Sequence, residues 1–241
     1  MKIRLLGKNL DDIRPLFPGR NIVETGNIDE TDAVIAYGGD GALLGAVRDF
    51  PGLPVIGIRD AATAPTCELH DAAKVLDALV NGSLKCRKLP RLCATAPNGQ
   101  IFGINDLFLH NSNRRSSVRY QVRIDGEIYA DEVRGDGVCF ASVHGRSAYY
   151  RSITRGMFRT GLGLAFSNSI VDVDHLVLEE TSVVELKVIR GPAIVIADNA
   201  PGELVVNAGE TVEFRQLDEY VTICGLDGFM CSKCRKLRHG I

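Results

Sequence analysis

One short stretch carries the residue types and spacing of phosphoryl chemistry. Ala33-Val34-Ile35-Ala36-Tyr37 runs into Gly38-Gly39-Asp40-Gly41, and Ala42-Leu43-Leu44 follows. An apolar run enters a tight glycine turn and a helix-compatible segment leaves it, the order found where strands end at nucleotide phosphates. The glycines let the backbone bend sharply and approach a ligand with no Cβ in the way. The amides opening the helix would face an anion, with the helix dipole behind them. Asp40 puts a carboxylate into that anion site, where it costs free energy unless it serves a metal or a proton. The plain alternative is a βα turn built for geometry alone, common for two glycines and less so with an acid between them.

Two further stretches combine polar chemistry with apolar strands. Gly103-Ile104-Asn105-Asp106-Leu107-Phe108-Leu109-His110 sets two polar residues inside what reads as an apolar strand. Asn and Asp are poor strand formers and are costly when buried without partners. An Asn amide offers an acceptor and two donors, which suits an adenine edge; a turn or strand end with solvated side chains is the competing reading. Arg134-Gly135-Asp136-Gly137 leads into the apolar strand Val138–Ala141 and then Ser142-Val143-His144-Gly145-Arg146-Ser147-Ala148-Tyr149-Tyr150. Hydroxyls and amides there could hold ribose and phosphate, a tyrosine ring could stack on a base, and Arg146 could pair with phosphate bidentately. An ordinary βα junction is the alternative, but three unusual features coincide.

The elements that must position these groups fall into two textures. Through residue 90, strands at 3–6, 33–37 and 54–58 alternate with helical pieces at 10–17, 42–50 and 67–80, the last stopped by Asn81-Gly82. That alternation predicts a parallel sheet with flanking helices. From about residue 91 the chain becomes β-rich. Residues 118–124 alternate and meet Asp125-Gly126, a hairpin signal, before 127–130. Strand-like runs follow at 176–178, 183–189, 193–197, 203–206, 211–214 and 220–224, separated by glycine- and proline-bearing turns. We therefore expect an α/β domain over 1–90, a β-rich domain over 91–224, a tail over 225–241 returning to the first domain, and a site in the crevice between the domains.

Composition narrows the partners. The 241 residues are 45% hydrophobic and 24% charged with a net charge of −2, so no global field points to nucleic acid or a membrane surface. No apolar run approaches the roughly 20 residues a membrane span requires, and residues 1–7 read as a first strand rather than a signal peptide. The seven cysteines, without a secretory signal, are expected to be mostly reduced thiols of a cytoplasmic chain.

The turn at 38–41, the Asn105-Asp106 pair, Asp136-Gly137 and the run Ser142–Tyr149 together resemble the NAD kinase family. That family shares its fold superfamily, and the Gly-Gly-Asp-Gly turn, with diacylglycerol kinases and phosphofructokinases. Order and spacing fit from about residue 30 onward. The resemblance implies transfer of the ATP γ-phosphoryl, with Mg²⁺, to the 2′-hydroxyl of the adenosine ribose of NAD, giving NADP. It implies that Asp40 orients that hydroxyl or takes its proton, and that Gly38, Gly39 and Gly41 leave room for phosphates. Asn105 and Asp106 would bind NAD from its adenine and ribose side, and Asp136 its nicotinamide end. Ser147, Ala148 and Tyr149 would line the adenine pocket, with Ser152 a further candidate, and Asp198 falls at the family's Asp-Gly turn between late strands. The phosphoryl donor could be ATP or polyphosphate, and a homodimer or homotetramer is expected.

The chain departs from the family pattern at several places. His144 and Arg146 stand where small hydroxyls are usual, Arg59-Asp60 begins the segment that replaces an Asn and a glycine-rich run, and Ser167-Asn168-Ser169 replaces Pro-His-Ser. These changes leave open a same-fold kinase for another hydroxyl acceptor and a non-catalytic dinucleotide sensor. Cys224, Cys231, Cys234 and His239 could in principle close a zinc site. The family calls for none, so a tail that binds no metal is expected, and its run of Lys233, Arg235, Lys236 and Arg238 reads as a solvated face. His70, His110 and His175 carry no assigned role.

Overall fold

Four short strands open the chain: β1 (Lys2–Gly7), β2 (Val23–Glu24), β3 (Ala33–Tyr37) and β4 (Val55–Ile58). They pair in parallel in the order β2-β1-β3-β4. Every residue of β3 and β4 is buried, as it must be in a parallel sheet covered on both faces. Helices α1 (Leu10–Ile13), α2 (Asp40–Asp49) and α3 (Ala72–Val80) supply that cover. Ile13 and Leu76 join Ile3, Ile35 and Ile56 in one cluster, while α2 buries Leu43, Leu44, Ala46 and Val47. This computed structural model describes residues 1–113 and 115–239, excepting the side chains of Phe229, Met230 and His239. The described chain divides into two compact units, Met1–Leu89 with Tyr220–Ile241, and Pro90–Glu219.

The second unit is a β-sandwich. Its strands are β5 (Cys86–Ala96), β6 (Gly99–Gly103), β7 (Asp106–Asn111), β8 (Val118–Ile124), β9 (Glu127–Gly135), β10 (Gly137–Ala141), β11 (Leu162–Ser167), β12 (Leu176–Leu178), β13 (Val184–Arg190), β14 (Ala193–Ala197) and β15 (Leu204–Val206), with β16 (Thr211–Cys224) completing it. One sheet runs β12-β11-β10-β7-β14-β15 and is antiparallel throughout. The hairpin at Asp125-Gly126 forms as the sequence predicts: both residues have positive φ, 52° and 84°, and Ile124 pairs with Glu127. The core between the sheets includes Leu107, Leu109, Tyr120, Val138, Phe140 and Phe214. Alternate residues on the far face of the long antiparallel sheet, Phe108, Cys139, Ala141 and Ala165, pack instead with Tyr150 of helix α4 (Tyr149–Thr154). Because β10 is covered on both faces, its sequence is apolar without alternation.

Four expectations are corrected. The helix expected over 67–80 starts only at Ala72, where the Asp71 carboxylate caps it by accepting from the Lys74 amide at 2.9 Å. Glu68–His70 is a separate 3₁₀ turn. The stretch 103–110 is not one strand: β6 ends at Gly103, the chain bends at Ile104-Asn105, and β7 begins at Asp106. The strands expected at 211–214 and 220–224 are one, because pairing with β5 keeps the polar middle extended, where Arg91 also bonds Glu219 at 2.8 Å. Finally, Cys86 and Cys224 form a disulfide, which removes Cys224 from any metal site, while Cys67, Cys93, Cys139, Cys231 and Cys234 are free thiols.

After β16 the chain continues in the first unit as α5 (Leu226–Met230) and α6 (Ser232–His239), with the end of β16 parallel to β4. Among the described residues no helix is long and apolar enough to cross a membrane.

Candidate functional site

In the first unit, the backbone leaving β3 makes the turn that exposes Asp40. Gly38 has φ +155°, and a Cβ there would fall 2.9 Å from the Cβ of Ala42, so the turn needs glycine. Gly39 caps α2 and Asp40 is its first residue, next to the positive end of the helix. The Asp40 carboxylate accepts from Arg59 Nη2 at 2.7 Å. The partners differ sharply in environment: the Arg59 side chain is 7% exposed and that of Asp40 72%. A buried cation thus steadies one oxygen of a carboxylate that stays largely in solvent. Burial holds the Arg59 pKa below its ordinary value, with the charge of Asp40 acting against that shift.

Arg59 is positioned by its neighbour. The Asp60 carboxylate accepts from Asn9 Nδ2 at 2.7 Å, from the Ala62 amide at 2.9 Å and from Thr63 Oγ1 at 3.1 Å. The loop after β4 is therefore ordered around one acid, and it presents Arg59 to a carboxylate 19 residues earlier. Local spacing carries no sign of that pairing; the sequence marked Arg59-Asp60 only as unusual.

In the second unit, Asp198 explains the bend at Ile104-Asn105. Its carboxylate accepts from the amides of Ile104 and Asn105 at 2.8 Å each and of Asp106 at 3.1 Å. It holds φ +47° to do so. The carbonyl of Asn105 accepts from the Ser142 amide at 2.9 Å. Ser142 Oγ donates to the Ile104 carbonyl at 2.6 Å and accepts from the amides of His144 and Gly145 at 3.1 and 3.2 Å. A Cβ at Gly145 would overlap the Asn105 backbone. Three distant stretches, around residues 105, 145 and 198, are laced into one polar node.

Asp106 lies inside that node, 3% exposed. The Tyr149 amide donates to its carboxyl group, while Oδ2 has no hydrogen-bond partner among the described residues. Burial, and secondarily the charge of Asp198, pushes its pKa up to about 7. Asn105 is half-buried and spends its backbone on the node.

Around the node, the Tyr149 ring packs on Phe108 at 5.1 Å between centroids. The pair borders two hollows. One, of about 350 Å³, also meets His110, Asn111, Asp136 and Ile196. The other, of about 600 Å³, meets Ser152, Asn168, Asp172 and His175. Asp136 accepts from Asn168 Nδ2 at 2.6 Å. Ser147 and Ala148 are exposed just before α4, and Ser152 Oγ donates to the Tyr149 carbonyl at 2.8 Å. Arg146 donates to the Val143 carbonyl at 2.8 Å, which ties its guanidinium to its own turn.

The sequence singled out Asn105, Asp106, Asp136, Tyr149, Ser152 and Asp198, which come together here, and assigned no role to Phe108, His110, Asn168 and His175, which also line the hollows. Phe108 and His110 alternate with the buried Leu107 and Leu109, so period two already put them on the other face. Asn168, flanked by serines at φ +47°, sits at a turn that resembles many others.

No protein-family model matches the chain. Among curated proteins, it is 30% identical over 133 residues to an NAD kinase of Acidithiobacillus ferrooxidans, which is 51% of this chain and 44% of the relative. It is 26% identical over 200 residues to an NAD kinase of Sulfurisphaera tokodaii, 78% of each chain. The first matches span about half the length of those relatives. Among solved structures, an NAD kinase from Archaeoglobus fulgidus in complex with ATP superposes with a TM-score of 0.78 at 16% identity, covering 98% of this chain and 99% of that one. The fold, a parallel α/β unit plus an antiparallel β-rich unit, is that of the NAD kinases. The sequence matches point the same way: over half to three quarters of its length the chain is similar to NAD kinases at 26–30% identity.

Proposed function

We propose that this chain is an NAD kinase-like phosphotransferase that moves the γ-phosphoryl of ATP to the 2′-hydroxyl of the adenosine ribose of NAD, giving NADP. The observation that carries this reading is Asp40: a carboxylate on the first residue of α2, largely exposed, and steadied by one buried guanidinium. Its free face would orient the ribose hydroxyl or accept its proton as the oxygen attacks phosphorus. Gly38, Gly39 and Gly41 would let phosphates approach the backbone, and Arg59 would lend positive charge beside them. Mg²⁺ would arrive with ATP as part of that substrate.

The dinucleotide would be held through the second unit. Asp106, with a pKa near neutrality, has a carboxyl oxygen to offer a sugar hydroxyl, supported by Asn105 and by Asp198 behind them. Asp136 and Asn168 would meet the nicotinamide end, and Ser147, Ala148, Tyr149 and Ser152 the adenine. The same reading takes ATP or polyphosphate as donor and a homodimer or homotetramer working in the cytoplasm.

The test incubates the purified chain with ATP, Mg²⁺ and NAD and measures NADP, comparing wild type with Asp40→Asn. NADP formation that falls at least about 10²-fold in the variant is expected. The Arg59–Asp40 ion pair favours one rival, a dinucleotide sensor whose carboxylate is permanently neutralised. NAD binding without phosphoryl transfer would establish that rival, and indifference to NAD would indicate another acceptor.

A further inference from the structure

The described residues bring a second set of ligating side chains together, none of them among the groups assigned above, although the charge of Cys234 is felt by Arg59. Cys67 and His70 come from the loop and 3₁₀ turn before α3, Cys231 from the junction between α5 and α6, and Cys234 from the first turn of α6. The four ligand atoms lie within 4.8 Å of one another. Cys67 Sγ is 3.3 Å from His70 Nδ1, and Cys234 Sγ is 3.4 Å from Cys67 Sγ and 3.5 Å from His70 Nδ1. A tetrahedron with metal–sulfur bonds of about 2.3 Å and metal–nitrogen bonds of about 2.0 Å has edges of roughly 3.5–3.8 Å. Cys67, His70 and Cys234 are thus within a few tenths of an ångström of that size, and Cys231 Sγ lies within 4.8 Å of each of them.

We infer that Cys67, His70, Cys231 and Cys234 form a structural zinc site that clamps the C-terminal helix to the loop preceding α3. Three sulfurs and one imidazole nitrogen are the donor set of a closed, four-coordinate site, leaving no open position for catalysis. The surroundings fit. The Cys67 amide donates to Cys234 Sγ at 3.3 Å, and the amides of Lys233 and Cys234 donate toward Cys231 Sγ, the outer contacts that orient sulfur ligands. Each thiol releases its proton to solvent as its bond to the metal forms, so three thiolates and a neutral imidazole around Zn²⁺ carry one net negative charge. Helix α6 carries basic residues, among them Lys233, Arg235 and Lys236, and no acidic residue in its first turn.

The sequence explains why this set differs from the one its C-terminus suggests. Cys231-x-x-Cys234 is half of the site, but the other half is Cys67-x-x-His70, some 164 residues away from Cys234. Cys224 is occupied by Cys86, and the side chain of His239 lies outside the described residues. The spacing Cys-x-x-His read as part of a helix, whereas Asp71 starts α3 only afterwards and frees both ligands. A disulfide between Cys67 and Cys234 would use two of these groups and leave a third thiol and an imidazole converging on nothing.

The inference stands apart from the kinase reading and is tested on the full chain. The protein is produced with zinc in the medium, purified without chelator, and analysed for metal by mass spectrometry. Zinc is then exchanged for Co²⁺ and the visible spectrum recorded. One zinc per chain is expected, together with the thiolate charge-transfer and intense d–d absorption of tetrahedral cobalt. Cys67→Ser with Cys234→Ser should abolish both signals, His70→Ala should weaken them, and Cys93→Ser should leave them unchanged. A wild-type chain without stoichiometric zinc and without the cobalt spectrum overturns the site whether or not the variants fold. So does zinc retained by the folded double variant, or a Cys67–Cys234 disulfide in the metal-free protein.

Discussion

Replacing Asp106 with Asn should remove one component of the pH dependence of stability in a defined window. In the folded chain this carboxyl group is 3% exposed, and burial together with Asp198 raises its pKa from 3.8 to about 7. The unfolded chain releases that proton near pH 4, so between about pH 4 and 7 folding requires proton uptake. Stability from this group is fully present below the unfolded pKa and is lost as pH rises through the folded one. The shift of roughly 3 pKa units at about 1.4 kcal/mol each amounts to at most about 4 kcal/mol. Asn cannot titrate but nearly matches Asp in shape. The assay is urea unfolding of both proteins at half-unit steps from pH 4 to pH 8, followed by circular dichroism. The stability of Asp106→Asn minus that of wild type should rise by up to about 1.4 kcal/mol per pH unit through the window and level off above it. Any constant effect of the amide drops out of that slope. A difference curve that stays flat from pH 4 to 8 would refute the assignment of a raised pKa to Asp106.

Asp198→Ala removes the acceptor of three amides at once; thermal unfolding should show a loss of at least about 2 kcal/mol, since hydrogen bonds to charged groups each contribute about 1.5–3 kcal/mol. Gly145→Ala forces a methyl group into the Asn105 backbone and should destabilise the chain by about 1–3 kcal/mol or more, read from the same melts; an unchanged midpoint would contradict the close approach. In Arg59→Gln the loss of the ion pair itself should cost less than about 1 kcal/mol, because Asp40 is 72% exposed. The same variant should weaken ATP binding about tenfold in calorimetry, about 1.4 kcal/mol, if the guanidinium lends charge to the phosphates.

Much of the fold is local and was therefore legible. The parallel strands 33–37 and 55–58 show as apolar runs, the hairpin at Asp125-Gly126 shows as alternation broken by a turn dipeptide, and the glycine turn announces where α2 begins. The stretches 103–110 and 142–150 were recognisable as polar residues set against apolar strands. Less legible were elements whose ends are set by a single side chain from elsewhere. The strand expected through Asn105 is interrupted by the Asp198 carboxylate. The helix expected from residue 67 begins at Ala72 because Asp71 caps it. The polar middle of β16 stays extended through ladder bonds to β5 that hydrophobic periodicity does not report.

The amino-acid order by itself determined the α/β and β-rich textures and the position of Asp40 on a glycine turn, since these follow from spacings of two to four residues along the backbone. Only the tertiary structure decided that Arg59 grips Asp40, that Asp198 bends the chain beneath Asn105, that Asp106 is buried enough to hold a proton near neutrality, and that Cys67 and His70 meet Cys231 and Cys234. Those pairings link residues 19 to 167 positions apart, and no periodicity encodes a partner at that distance: the packed sheets bring them together.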